Sequence, residues 1–203
     1  LIISDGVFSK SRNLISENKI KPVYNNTLAI RGVLPKSPNN IDDKNISLFL
    51  GSNFHQVIYP IDTDGVLNFI AIIKYRLSAD EQKNYSLFNE HLFIKNVLNK
   101  IPTAVKNILN LLINVKVFPV FVSKGFYQTK NEKIHFIGDA FFAFPPSFAQ
   151  GASQSIEAAN ELYDNLKNNS SNYYKTRILK TKQINSRSSI NHFAFHLSNP
   201  FNI

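Results

Sequence analysis

Two short apolar runs, one near each end of the chain, both stop at an acidic turn that contains glycine. The first run is Leu1-Ile2-Ile3, followed by Ser4-Asp5-Gly6. The second is Ile134-His135-Phe136-Ile137, followed by Gly138-Asp139-Ala140. Apolar runs of this length, bounded by turn residues, predict buried strands. Because the sequence between them has a different pattern, we expect one lobe that is interrupted by a second lobe and then resumes.

The intervening sequence predicts an antiparallel sheet with helices. β-rich runs bounded by turn residues occupy residues 27–31, 46–50, 55–59 and 66–73, and a further run covers 115–122. Ser78 and Glu81 have the spacing of a capping box, which predicts a helix that starts there and runs past Leu92. A second helix is expected around residues 104–112. Beyond Pro145-Pro146, apolar residues recur at helical spacing on one face: Ile156, Ala159, Leu162, Tyr163 and Leu166.

These patterns divide the chain into three parts. Residues 1–20 are expected to belong to one lobe, residues 21–121 to an inserted lobe with the antiparallel sheet, and residues 122–203 to the resumed first lobe and C-terminal helices. The last of these helices begins near Tyr173 and is rich in lysine and arginine, which favours a solvated helix packed by Ile178 and Ile184.

The second acidic turn has the chemistry of a ligand site. An aspartate at the end of a buried strand can accept hydrogen bonds from a polyol, and Gly138 allows close approach of a ligand or of another backbone segment. The helix that begins near Gln150-Gly151-Ala152-Ser153 offers free backbone N–H groups. This succession is typical of a cofactor site in an α/β sheet. The alternative is a plain strand-to-helix connection capped by Ser147 or Ser153, and Asp5-Gly6 taken alone is ordinary turn chemistry.

Together and in this order, the two segments resemble the flavoprotein aromatic hydroxylases, the family of para-hydroxybenzoate hydroxylase and salicylate hydroxylase. Asp5-Gly6 with Ser9 and Arg12 is similar to the family's DG motif. Gly138-Asp139-Ala140 with Pro146 and Gln150-Gly151-Ala152 is similar to its GD motif. Glu157 is similar to a residue of the helix after the GD motif, and Arg31-Gly32 is similar to an Arg-Gly at the start of the family's middle domain. Similarity to the salicylate hydroxylase branch is carried by Gly51, His55, Tyr59-Pro60, Asn68-Phe69, Tyr174, Arg177, Ser186, Arg187, Asn191 and His196.

The resemblance implies roles for particular residues. Asp139 would bind the ribityl hydroxyls of FAD, and the backbone of Gly151 and Ala152 would face the pyrimidine side of the flavin. Pro146 would lie beside the reactive flavin carbon, while His55 and Tyr59 would point from the middle sheet toward an aromatic substrate. Asp5, Gly6 and Arg12 would support the cofactor and the approach of NAD(P)H. The cofactor-binding set is completed by Gly138, Ala140, Gln150 and Ser153, and no metal site is expected.

The implied protein is an FAD-dependent monooxygenase that uses NAD(P)H and O₂ to hydroxylate a small aromatic compound. Its implied fold is α/β, with an incomplete FAD-binding lobe of the Rossmann-like, glutathione-reductase type and an inserted antiparallel-sheet substrate lobe. A ubiquinone-type hydroxylase, an epoxidase or a halogenase would carry the same two motifs, so these alternatives stay open.

The sequence departs from the family in two ways. Phe142 and Ser153 stand where the family commonly has His and Asn, and Ala149 stands where it often has Gly, with precedent for Ala in the salicylate hydroxylase branch. Phe142 and Ser153 leave substrate identity and flavin placement open and admit a flavoprotein that binds flavin without turnover. The chain also has no Gly-x-Gly-x-x-Gly, opens on Leu1 and contains no methionine. We therefore expect a C-terminal fragment that is inactive and holds FAD poorly by itself.

Composition excludes several other classes. The absence of cysteine excludes disulfides and thiolate sites, and no apolar stretch reaches the roughly 18 to 20 residues of a membrane span, so a cytoplasmic protein is expected. The net charge of +9 allows a non-catalytic basic module with a continuous positive surface, but the lysines are scattered, and no nucleic-acid partner is expected. His192 and His196 have metal-ligand spacing, although without a third ligand terminal packing is favoured.

Overall fold

The computed structural model describes residues 1–15, 21–38, 41–101 and 107–197. The strands are Ile2–Ile3 (β1), Val23–Leu34 (β2), Ser47–Gly51 (β3), Phe54–Pro60 (β4), Leu67–Lys74 (β5), Ile113–Val122 (β6) and His135–Phe136 (β7). The helices are Lys10–Ile15 (α1), His91–Asn99 (α2), Gly151–Lys167 (α3) and Tyr173–Ala194 (α4). Within those residues, no helix has both the length and the apolar character that a membrane crossing requires. The mixed helix-and-strand fold with an antiparallel sheet, predicted from the sequence, is confirmed.

The chain forms two compact units. The first unit comprises Leu1–Asn25 and Phe121–Phe193, and the second comprises Asn26–Val120 and Ala194–Ile203. The units therefore change at 25/26 and 120/121. Of the described residues, 194–197 group with the second unit.

The second unit is built on a five-stranded sheet with the order β3-β4-β5-β2-β6. Its strands overlap all five predicted runs, and β5 pairs antiparallel with both β4 and β2. One face of β5 packs into the core because side chains alternate along a strand; this face comprises Leu67, Phe69, Ala71 and Ile73, all at most 4% exposed. Burying each large apolar side chain stabilises the fold by about 1.5 to 3 kcal/mol. On β2, Gly32 pairs with Phe69, and a Cβ there would lie 3.3 Å from the Leu112 side chain. Glycine at this position lets Leu112 pack onto the sheet.

The helices of the second unit differ from the prediction. The capping box forms, because the Ser78 backbone N–H donates to Glu81 Oε2 (2.7 Å) and the Glu81 N–H donates to Ser78 Oγ (3.2 Å). It opens only a 3₁₀ turn, Glu81–Lys83, and the α-helix itself is α2, His91–Asn99. The predicted continuous helix was wrong, because a satisfied cap fixes one turn and does not by itself propagate a helix. The other predicted helix, at 104–112, lies partly outside the described residues.

The first unit has little regular sheet. Its two strands, β1 and β7, pair in parallel, with Ile2 opposite His135 and Ile3 opposite Phe136. An aromatic core lies around them and comprises Ile3, Tyr127, Phe136, Ala140, Phe141 and Phe142. The Phe126 ring stacks on the Phe142 ring, with centroids 5.0 Å apart. Packing of these aromatic side chains stabilises the first unit, whereas the second unit is built on a larger sheet.

Helix α3 buries a different face from the one predicted. Gln154, Ala158 and Leu162 are its buried residues, whereas Ile156 is 72% exposed and Tyr163 is 60% exposed. The apolar spacing predicted the helix correctly, but most of that apolar face lies in solvent here. The buried face is polar at Gln154 because the neighbouring helix α4 supplies a partner for it, Arg177.

Helix α4 runs for 22 residues and buries a stripe that is mostly polar. The stripe comprises Tyr173, Arg177, Thr181, Ile184 and Ser188. Arg177 is 2% exposed and donates to Glu157 Oε2 (3.3 Å), Glu161 Oε2 (3.0 Å) and Gln154 Oε1 of α3. The sequence predicted the helix, but its packing depends on these hydrogen bonds as well as on isoleucines.

Candidate functional site

The parallel pairing of β1 and β7 brings the two acidic turns to one sheet edge. The His135 N–H donates to the Leu1 carbonyl (2.9 Å), and the Ile137 N–H donates to the Ile3 carbonyl (3.0 Å). Asp5-Gly6 follows the first strand and Gly138-Asp139 follows the second, so both turns leave the carboxyl ends of neighbouring parallel strands. In α/β sheets this edge is where ligands bind.

The turn at Gly138 requires glycine for two reasons. Its φ of +58° lies in the left-handed region, and a Cβ there would lie 3.0 Å from Ser155 Oγ. The Gly138 carbonyl accepts hydrogen bonds from the N–H groups of Phe141 (2.9 Å) and Phe142 (3.0 Å). The backbone therefore folds back tightly, with Ala140 buried beneath it, and leaves Asp139 at the surface.

The Asp139 carboxylate is suited to accept hydrogen bonds from a ligand. Desolvation by the surrounding protein raises its pKa. The side chain is nevertheless exposed, so its oxygens are accessible to a ligand from solvent.

The N-terminus of α3 presents open backbone beside this turn. Gly151, Ala152 and Ser153 are exposed, and Gln150, at the cap position, makes no side-chain capping hydrogen bond. A Cβ at Gly151 would meet nothing within 4 Å. The first backbone N–H groups of a helix lack intrahelical partners and lie at the positive end of the helix dipole, so this end suits an electron-rich or anionic group.

Pro146 lies on a 3₁₀ turn, Pro146–Phe148, that leads into α3. The turn ends at Ala149, whose φ of +51° is left-handed. An alanine Cβ is strained in this conformation, which glycine adopts freely. Two residues of α4 contact the turn: Ser188 Oγ donates to the Pro145 carbonyl (2.7 Å), and His192 Nδ1 lies 2.9 Å from Ser147 Oγ.

The space between these elements is small. A crevice of about 10 Å³ separates them and is lined by Gly138, Asp139, Phe142, Gly151, Gln154 and Arg177. It could hold about one water molecule. Phe142 belongs to the aromatic core, so it acts here as a packing residue. A larger ligand would lie against the outer rim, where Asp139 and Gly151 face solvent.

The first acidic turn is held by its own neighbours. The Ser11 N–H donates to Asp5 Oδ2 (3.3 Å). The pKa of Asp5 is lowered overall: desolvation, the largest single influence, raises it, but hydrogen bonds from Ser9 and Ser11 outweigh that effect. Gly6, at φ +83°, makes the turn possible. Arg12 is directed inward, donates to the Val7 carbonyl, and lies 3.7 Å from the centre of the Tyr127 ring.

The second unit holds the other two predicted residues. His55 and Tyr59 lie on one face of β4, because residues at i and i+4 of a strand point the same way. His55 is 3% exposed, and its Nδ1 lies 2.8 Å from Nε2 of His196, which is 4% exposed. Tyr59 is half-buried.

The structure thus assigns separate partners to His192 and His196. His192 contacts Ser147 and His196 contacts His55. Sequence spacing had suggested a metal pair or terminal packing and missed both contacts. The one available signal was the similarity of His196 to the salicylate hydroxylase tail.

Comparisons with known proteins agree with this geometry. A model of the squalene epoxidase family matches residues 1–190. No curated protein matches the chain. Among solved structures, a salicylate hydroxylase–substrate complex is 18% identical with a TM-score of 0.78, over 99% of this chain and 56% of that one. An HpxO variant from Klebsiella pneumoniae, complexed with FAD, is 14% identical with a TM-score of 0.75, over 97% of this chain and 52% of that one.

A third structure gives the same result. The 2,6-dihydroxypyridine-3-hydroxylase from Arthrobacter nicotinovorans is 18% identical with a TM-score of 0.72, over 99% of this chain and 59% of that one. At these identities the likeness establishes a shared fold. The chain spans a little over half the length of each of these solved proteins.

Proposed function

This chain belongs to the squalene epoxidase family of FAD-dependent monooxygenases, and on that premise we propose that it forms the flavin-holding and substrate-holding part of an aromatic-ring hydroxylase. The proposed reaction transfers one oxygen atom of O₂ to a small aromatic compound, with NAD(P)H as the reductant. The sequence contains no Gly-x-Gly-x-x-Gly, so the proposal assigns no AMP-binding residues within this chain.

The observation that carries the proposal is the meeting of the two acidic turns beside the N-terminus of α3. Asp139 is the proposed acceptor for the ribityl hydroxyls, and the backbone N–H groups of Gly151 and Ala152 are the proposed donors to the pyrimidine side of the flavin. Open space at Gly151 and the exposed carboxylate of Asp139 fit such a ligand. When bound, the flavin would supply the redox chemistry, and the protein would supply orientation and electrostatics.

The proposed contributions of the remaining site residues follow from their positions. Pro146 and the start of α3 would border one side of the flavin, with Gln150 and Ser153 as further polar contacts. Asp5 and Gly6 would border it from the neighbouring turn. Arg12 would act indirectly, because its guanidinium holds the Val7 carbonyl and the Tyr127 ring.

We further propose that the substrate ring packs on the sheet face of the second unit that carries Tyr59. Strand pairing places Val57 opposite Ile70 and Tyr59 opposite Asn68 on this face, and all four are half-buried. A half-buried apolar surface with a phenol and an amide suits a flat ring with polar substituents. The contact with His196 would fix the orientation of the His55 ring.

A second candidate is epoxidation of an alkene, because the matching family model is that of squalene epoxidase. The same cofactor site would serve, and the substrate would be an apolar olefin in place of a phenol. The two candidates differ in which compound class stimulates NAD(P)H oxidation.

The proposal is tested by purifying the protein with any upstream coding sequence of its gene included. We expect the visible absorption bands of bound flavin in the wild-type protein. Asp139→Ala should bind FAD weaker by on the order of 10- to 100-fold, as expected for loss of charge-assisted hydrogen bonds. The control is Asp164→Ala, which removes an exposed carboxylate near the far end of α3 and should bind normally.

NAD(P)H consumption is then followed with hydroxybenzoates and with apolar olefins. Stimulation by the phenols supports the hydroxylase, and stimulation by the olefins alone supports the epoxidase. A colourless wild-type protein that cannot be reconstituted with FAD would overturn both and revive the basic-module alternative.

A further inference from the structure

We infer that Ser188 and His192 of α4 are positioning residues that clamp the turn carrying Pro146 and thereby set the geometry of the flavin edge. The inference rests on the proposed function, because the turn has this importance only if a flavin lies against it. These two residues are one helical turn apart, so their side chains leave the same face of α4.

Each residue contacts a different part of the turn. Ser188, which is fully buried, donates from Oγ to the Pro145 carbonyl at 2.7 Å. His192 Nδ1 lies 2.9 Å from Oγ of the buried Ser147, and a shared proton joins the two whichever of them carries it. Together they hold the backbone carbonyl of the residue before Pro146 and the side chain of the residue after it.

The turn depends on such external contacts because it has few of its own. Pro145 and Pro146 have no backbone N–H to donate, so the segment lacks two of its usual backbone donors. The Ala149 N–H donates to the Pro146 carbonyl (3.1 Å), but it does so from a left-handed conformation that is strained for alanine. Hydrogen bonds from α4 therefore stabilise a backbone that the local sequence disfavours.

The same face of α4 also holds α3. Arg177 reaches Gln154, Glu157 and Glu161 through its guanidinium. One buried stripe thus fixes both the turn and the helix that follows it. Functional groups need such supporting contacts to be held in place, and a loosened support weakens binding even when the ligand-contacting residues remain.

The experiment compares Ser188→Ala and His192→Ala with Ser189→Ala, which removes an exposed hydroxyl from the next position of the same helix. Amide hydrogen exchange is followed over residues 147–151, and FAD affinity and the flavin absorption spectrum are measured on the same samples. We expect faster exchange in that segment and FAD binding weaker by on the order of tenfold in both clamp variants, with Ser189→Ala like the wild type.

A conservative variant separates positioning from general stability. His192→Asn keeps a polar atom near the place of Nδ1 and should recover much of the affinity and the wild-type flavin spectrum, whereas His192→Ala should shift the spectrum. The thermal midpoint of each variant is measured as well. A global loss of stability would lower the midpoint and speed amide exchange throughout the first unit, whereas loss of the clamp should speed exchange only in the turn.

The outcomes separate the two proposals. If the wild type binds FAD and both clamp variants match Ser189→Ala in exchange, affinity and spectrum, the clamp is refuted and the proposed function stands. If the wild type takes up no FAD, the proposed function fails and the role of the clamp fails with it.

Discussion

The two compact units of this chain are stabilised in different ways. The second unit is a five-stranded sheet whose side chains alternate between a buried face and a more open one, and its largest core residues are apolar. Among the described residues, the strands that lie wholly within the first unit, β1 and β7, have two residues each. Polar contacts between distant parts of the sequence support its turns and helices. Paired strands satisfy one another's backbone hydrogen bonds, and the alternation of apolar residues buries one face of the sheet. A site made of turns needs particular side-chain contacts to hold its backbone in place.

The first unit also holds the conformations that are unfavourable by themselves. Ala149 is left-handed, a side chain at Gly138 would be strained against Ser155 Oγ, and Arg177 is a buried cation. Such features persist only where the surroundings over-determine them, and they cluster at functional sites. Substitutions in each unit would test this contrast.

The largest effect is expected in the apolar core of the second unit. Phe69→Ala removes a side chain that is 0% exposed on β5 and should reduce the free energy of unfolding by about 3 to 5 kcal/mol. Leu48→Ala on β3, at a position that is 46% exposed, is the control and should change it by less than about 0.5 kcal/mol. Urea unfolding, with hydrogen exchange to assign the loss to the sheet, measures both. Equal effects in the two variants would contradict an apolar origin of this unit's stability.

A slightly smaller effect is expected from the buried cation of the first unit. Arg177→Met leaves Gln154, Glu157 and Glu161 without that partner and should cost about 3 kcal/mol, while the exposed Lys182→Met should cost little. A hydrogen bond from Lys180, followed by one from Arg177, lowers the pKa of Glu157. The contribution of Glu157 to the free energy of unfolding is therefore fully present above the unfolded-state pKa of this carboxyl. It is lost as the pH falls through the lower folded-state pKa.

The pH dependence gives a second check on the same contact. The wild-type protein should lose stability in acid more steeply than Arg177→Met does, as measured by thermal unfolding over a series of acidic buffers. Parallel curves for the two proteins would mean that the Glu157 shift does not depend on Arg177.

The smallest effect on the free energy of unfolding is expected at the Pro146 turn. Ala149→Gly should raise the free energy of unfolding by about 0.5 to 1 kcal/mol, because glycine adopts the left-handed conformation without a Cβ clash. Ala159→Gly, at an exposed helical position of α3, is the matched control and should lower it by up to about 1 kcal/mol. Opposite signs in denaturant unfolding would confirm stored strain, and a loss in both variants would refute it.

Much of the fold was predictable from local sequence, and the failures have physical causes. β-rich runs bounded by turn residues predicted β2 to β6, and apolar spacing predicted α3, because both signals arise from neighbouring residues. The helix expected from Ser78 was wrong because the cap fixed only one 3₁₀ turn. The buried face of α3 was misassigned because Arg177, 23 residues beyond Gln154, supplies a buried partner for that amide, so that Gln154 is buried together with Ala158 and Leu162. The roles of Asp139, Gly151, His55 and Tyr59 stay predictions.

By itself, the sequence determined the strands, the two acidic turns and the family, because each depends on a short run of residues at a fixed spacing. The tertiary structure alone decided that β1 and β7 pair in parallel so that the turns share an edge, and that Ser188 and His192 reach the Pro146 turn. It also decided that Arg12 points inward. These contacts join residues far apart along the chain, and only the folded arrangement sets the distance between them.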